Sequence, residues 1–158
     1  MMPLSRALAL AAALLALPAY AQDAAAPPEP APPPPAAPTG PVTLTATLLG
    51  DNEVPDDGDP DGKGGATIVL DPAKGTVCYD VDYHRVAPVT MAHIHAGASG
   101  KAGPPVVTLK PDADEWLKGC AKADAATIAA IAADPKAYYV NVHTTELPGG
   151  AIRGQLGG

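Results

Sequence analysis

His93-Ile94-His95 places two imidazoles two residues apart, and Tyr139-Val140-Asn141-Val142-His143-Thr144 carries a third. Alternate side chains of a β-strand share a face, so His93 and His95 point the same way if their segment is extended. His143 joins them if its own strand lies alongside. Three neutral imidazoles converging with nitrogens about 2.0 to 2.1 Å from an ion form a site suited to copper or zinc. A histidine set without a carboxylate leans toward copper. The competing reading is structural: the three rings bond turns and backbone near Gly97 and Thr144, as a polar plug at one end of the fold. The remaining histidine, His84, lies in Tyr83-His84-Arg85 at an expected strand end and reads as exposed and idle.

The elements that must position these rings are short strands. Val42-Thr43-Leu44-Thr45-Ala46-Thr47-Leu48-Leu49 alternates apolar and polar residues and predicts a half-buried strand. Residues 65–70, 76–83, 89–94, 106–109, 138–143 and 151–156 are further strands by the same pattern, and Asp71-Pro72-Ala73-Lys74-Gly75 is a hairpin turn by its proline and glycine. Strands separated by turns in this way define an all-β sandwich or barrel. One segment differs. Residues 125–133 are alanine-rich, carry Ile128 and Ile131 three apart, follow a capping Asp124 and stop before Pro135, which predicts one short helix.

Residues 42–158 form one domain without an internal repeat. Ahead of it, residues 22–41 are mostly alanine and proline, including Pro32-Pro33-Pro34-Pro35, and cannot bury enough apolar surface to fold. That composition predicts a disordered linker, which in a polyproline conformation spans up to roughly 60 Å at about 3.1 Å per residue. Residues 1–21 read as an export signal: Arg6 is the positive start, residues 7–17 are the apolar stretch, and Ala19-Tyr20-Ala21 is the small-x-small cleavage site. That stretch is too short to span a bilayer, which takes roughly 20 residues. The expected location is therefore periplasmic or extracellular.

Without the signal, nine basic residues face 17 acidic ones. Such a surface does not bind nucleic acid, which needs a basic face. Cys78 and Cys120 are the only cysteines, and one disulfide is their expected state in an oxidising compartment. Their long spacing, with no C-x-x-C, argues against a thiolate metal site.

Four motifs together resemble a known family. They are Leu49-Gly50-Asp51-Asn52-Glu53-Val54-Pro55, Ala92-His93-Ile94-His95-Ala96-Gly97, Tyr139-Val140-Asn141-Val142-His143-Thr144 and Pro148-Gly149-Gly150-Ala151-Ile152-Arg153-Gly154-Gln155-Leu156. In this order they are similar to the CHRD domain, named for chordin. The resemblance implies an immunoglobulin-like antiparallel β-sandwich or barrel and little about chemistry. The cysteine-rich modules that accompany the domain in chordins are not in this sequence, so no signalling role carries over. A weaker likeness is to the copper half of copper-zinc superoxide dismutase, which implies copper on His93, His95 and His143 and an anion-attracting Arg153. The zinc loop of that enzyme has no counterpart, and His84 precedes the pair where the enzyme's bridging histidine follows it.

Other candidates carry less. Glu53 and Arg153 suit a structural ion pair, because the planar guanidinium fork matches a carboxylate. Asp57-Gly58-Asp59-Pro60-Asp61-Gly62 begins like a calcium loop, but position twelve is Ile68 instead of glutamate, which leaves a hydrophilic hairpin tip. Gly97-Ala98-Ser99-Gly100-Lys101-Ala102-Gly103 lacks the phosphate-loop spacing, and with Pro104-Pro105 it is expected to bend away from the histidines. Ser99 has no nucleophile-elbow motif, and Trp116 reads as core or disulfide cover. No catalytic set emerges, so the chain reads as a non-enzymatic binding module with a candidate copper site. The alternatives are a structural or adhesive module without metal, and a copper-dependent oxidoreductase. No protein or cell-envelope partner is named by the sequence.

Overall fold

A computed structural model describes residues 38–86, 88–112 and 117–158. The expected export signal, nearly all of the proline-rich linker, and Trp116 lie outside the described residues. The strands are β1 (Val42–Leu49), β2 (Lys63–Asp71), β3 (Thr76–His84), β4 (Val89–Ala96), β5 (Pro105–Leu109), β6 (Leu117–Lys122), β7 (Tyr138–Thr144) and β8 (Ile152–Gln155), with one helix, α1 (Ala125–Ala133). They form a single sheet in the order β5-β4-β7-β8-β1-β2-β3-β6, with every pairing antiparallel. The edge strands β5 and β6 approach one another, so the sheet curls into a nearly closed barrel.

Alternation explains the inside. Leu44, Ala46 and Leu48 of β1, Ala66, Ile68 and Leu70 of β2, and Val77, Tyr79 and Val81 of β3 are all buried and belong to one core with Ala92, Ile94, Val140, Val142 and Ile152. The β2–β3 hairpin turns where its proline and glycine predict. Asp71 Oδ1 accepts from the Lys74 amide at 3.1 Å, and Gly75 takes the left-handed φ of 61° that glycine adopts without strain. The α1 helix starts at Asp124, whose carboxylate accepts from the Thr127 amide at 2.7 Å, and it sends Ile128 and Ile131 into the core.

Strand β6 was not legible in the sequence pattern. Its inner face carries small residues, Gly119 and Ala121 after the buried Leu117, while Lys118, Cys120 and Lys122 are exposed. Cys78 lies directly across from Cys120 in the β3–β6 register, and the two form the expected disulfide. Tyr79 closes the seam from within. Its hydroxyl donates to the Lys110 carbonyl at 2.9 Å and accepts from the Lys110 amide at 3.1 Å, which ties β3 to the end of β5.

Strand β7 departs from the half-buried pattern. Every residue from Tyr139 to Thr144 is buried, on both faces. Val140 and Val142 fill the barrel, while Tyr139, Asn141 and His143 point outward. An antiparallel strand is buried on both sides only when something covers its outer face. Three loops do so here, residues 50–62, 97–104 and 145–151.

Candidate metal centre

The β4–β7 ladder sets His93 opposite Asn141, His95 opposite Tyr139 and Met91 opposite His143. Together with β4 alternation, this register gathers three histidines on the outer face of the barrel wall. His93 Nδ1 lies 2.9 Å from His143 Nε2, and one ring nitrogen from each histidine falls within 4.8 Å of the others. Three nitrogens bound to one ion at the usual length lie about 3.3 to 3.6 Å apart in tetrahedral or trigonal geometry, so closure on a metal asks the widest pair to approach by about 1.2 to 1.5 Å through ring movement. The cluster lies on the outer face of the sheet, beneath loops whose backbone it bonds. The strand alternation that fills the barrel with Ala92, Ile94, Val140 and Val142 forces the intervening histidines outward.

Two backbone carbonyls fix the rings. His95 Nδ1 is 2.8 Å from the Gly103 carbonyl, and His143 Nδ1 is 3.0 Å from the Pro148 carbonyl. A carbonyl only accepts, so each Nδ1 carries the proton and each Nε2 keeps its lone pair. Nε2 of His95 is buried and makes no hydrogen bond. Nε2 of His143 accepts from His93 Nδ1, the place a cation takes when it binds both. Burial, with His143 and His95 nearby, pushes the His93 pKa down from 6.5 to about 4. Burial likewise lowers His95, helped by the charge of Arg153 and opposed by the Gly103 hydrogen bond. His143 is lowered by burial and by His95, against its bond to Pro148. All three are therefore neutral at pH 7, the state that binds metal.

The loop of residues 97–103 folds over the cluster, contrary to the expectation that it bends away. Arg153 draws it in: Nη2 donates to the carbonyls of Ala98 at 3.1 Å and Lys101 at 2.7 Å. Gln155 adds a bond to the Gly97 carbonyl at 2.7 Å. Gly103 has no alternative at its position, since a Cβ there would lie 1.6 Å from the Ala96 carbonyl oxygen. Its amide donates to the Tyr139 hydroxyl at 3.2 Å. The Tyr139 ring in turn stacks on His95, with centroids 4.9 Å apart and planes 10° from parallel, and the Arg153 guanidinium lies 3.4 Å over the Tyr139 centroid. At 2 % exposure Arg153 is a positioning residue for the loop, instead of an anion-attracting group open to solvent.

Glu53 and Arg153, expected as an ion pair, have other partners. Glu53 Oε2 accepts from Asn141 Nδ2 at 2.9 Å, and the attraction of Arg153 for this carboxylate acts without a direct contact. Asn141 is the register partner of Arg153 and is bonded to Glu53, so it takes the role expected of the guanidinium. Burial pushes the Glu53 pKa up from 4.5 to about 7, against the pull of Arg153 and Asn141. Glu53 Oε1 and Asn141 Oδ1 are both buried without a hydrogen bond. A proton on the carboxyl supplies the donor that this pair of acceptors lacks.

The other candidates stay apart. His84 lies at the end of β3, exposed, 3.9 Å from an equally exposed Asp82. The acidic loop makes a local turn in which Asp59 Oδ1 accepts from the Asp61 amide at 3.0 Å. Among the described residues, the three histidines are the one group of metal-ligating side chains that converges. Tyr139 and Asn141 were within reach of sequence reasoning, because alternation puts them on the face of His143, and asparagine is uncommon in a buried strand. Gly103 and Pro148 were not, because they act through carbonyls that every residue has.

Fold and site together define a β-barrel module with a histidine cluster on its outer wall. The CHRD domain matches residues 44–156, and the chain belongs to the CHRD domain family. Comparison with curated proteins and with solved structures gave no match. No helix among the described residues is long and apolar enough to cross a membrane.

Proposed function

We propose that this protein is an exported, non-enzymatic binding module whose ligand is copper, held by His93, His95 and His143. One observation carries the reading: three neutral imidazoles meet with no carboxylate among them, two with Nδ1 tied to a backbone carbonyl and Nε2 left to coordinate. Export is supported by the signal-like first 21 residues and by a disulfide of the kind that persists outside the cytoplasm. In this reading the proline-rich segment is a spacer between the barrel and whatever lies at the N-terminus. The test is calorimetric titration with Cu(I), Cu(II) and Zn(II), repeated on His93→Ala and His143→Ala. Copper binding that disappears in both variants supports the site. Equal binding by the parent and both variants, or none by any of them, overturns it.

A structural reading has its own support, because the same hydrogen bonds from His95 and His143 brace two loops against the sheet. It predicts that His143→Ala loses stability whether or not copper is present. Turnover of superoxide has less behind it, since Arg153 is buried and engaged with loop carbonyls.

A further inference from the structure

Met91 has no place in the core, is 39 % exposed, and pairs with His143 in the β4–β7 register. Strand alternation puts Met91, His93 and His95 on one face of β4, and the register makes Met91 the residue directly opposite His143. On this face His143 thus has two cross-strand neighbours: His93, already 2.9 Å away nitrogen to nitrogen, and the thioether residue. Directly opposed residues have Cβ atoms about 5 Å apart, within the span of a methionine side chain with its three free torsions. The Thr90 hydroxyl donates to the His143 carbonyl at 3.2 Å, which holds the two strands together at this point. His95 and His143 are restrained from the loop side by Gly103 and Pro148. The methionine approaches from elsewhere, along β4, where its exposure leaves it room to move.

We propose that Met91 is a fourth ligand of the histidine site and that the site is built for Cu(I). The inference rests on the copper reading given above. A thioether is a soft donor that favours Cu(I), whereas three imidazoles alone serve Zn(II) and Cu(II) as well. Met91 therefore sets which ion and which oxidation state the protein keeps.

The experiment uses the full chain under anaerobic conditions, with Cu(I) affinity read by competition against a chromogenic Cu(I) chelator and Zn(II) affinity measured in parallel. Met91→Leu is expected to weaken Cu(I) by about tenfold or more, to leave Zn(II) unchanged, and to remove a sulfur scatterer from the X-ray absorption spectrum of the Cu(I)-loaded protein. Leucine keeps the bulk of an exposed side chain, so the fold is not at risk. Equal Cu(I) affinity in parent and Met91→Leu, with only nitrogen around copper in the parent, overturns the role of Met91 and leaves the histidine site standing. Failure of the parent to bind any of these ions better than His143→Ala overturns both.

Discussion

Replacing Glu53 by glutamine tests the buried polar network beside the histidines. Glu53 is 9 % exposed, and its pKa rises from 4.5 to about 7 on folding. An acid with a raised folded-state pKa binds its proton more tightly when folded. Its contribution to stability is full below about pH 4.5 and is lost as the pH climbs through about 7. The shift corresponds to ~3.4 kcal/mol at full effect. Solvent screening around a side chain that is not wholly enclosed reduces this to ~1–2 kcal/mol. Glutamine stays neutral throughout, and its amide can accept from Asn141 Nδ2 while donating to the unpaired Asn141 Oδ1. Urea unfolding of parent and Glu53→Gln at pH 4.5 and pH 8.5 is the assay. The variant should gain ~1–2 kcal/mol on the parent between the lower and the higher pH. A gain of the parent over the variant across that interval would refute the reasoning, because it is the behaviour of a carboxylate stabilised by a cation, the ion pair with Arg153 that the sequence suggests.

Two further outcomes follow from the geometry. Gly103→Ala forces the Ala96 and Gly103 backbones apart and moves the carbonyl that orients His95; copper affinity should fall about 10- to 100-fold, the usual cost of losing an orienting partner. Titration against the parent checks this, and unchanged affinity would remove Gly103 from the site. Opening the Cys78–Cys120 bridge by a double serine substitution releases a link across 42 residues, for a loss of ~4 kcal/mol in the chain-entropy account. Denaturant unfolding measures it, and a loss under ~1 kcal/mol would mean that the β3–β6 pairing already restrains the unfolded chain.

Much of the barrel was readable because alternation is a strong signal where one face meets a core. Val42 to Leu49 alternates in sequence and in burial alike. The helix was readable through Asp124, the two isoleucines and Pro135. Strand β6 was not, because its inward positions after Leu117 are a glycine and an alanine, which leave no hydrophobic rhythm. At the site, the pattern identified the three rings but not the loops above them. The direction taken by residues 97–103 is decided by Arg153 and Gln155 some fifty residues later, and by a carbonyl at Gly103 with no side-chain signature. The pairing of Glu53 with Arg153 failed for a related reason. Charge complementarity is visible in a sequence, whereas the cross-strand neighbour that takes its place, Asn141, is visible only once the register of β7 and β8 is known.

Because the rings belong to strands and the carbonyls that aim them belong to loops, the two parts can come undone separately. Lifting residues 97–104 from the sheet breaks the bonds from Arg153 and Gln155 but leaves the β4–β7 pairing intact. Such an opening is a local one, confined to the loop and its hydrogen bonds, and leaves the barrel core in place. The rings would then keep their places on the sheet while losing one of the partners that aim them.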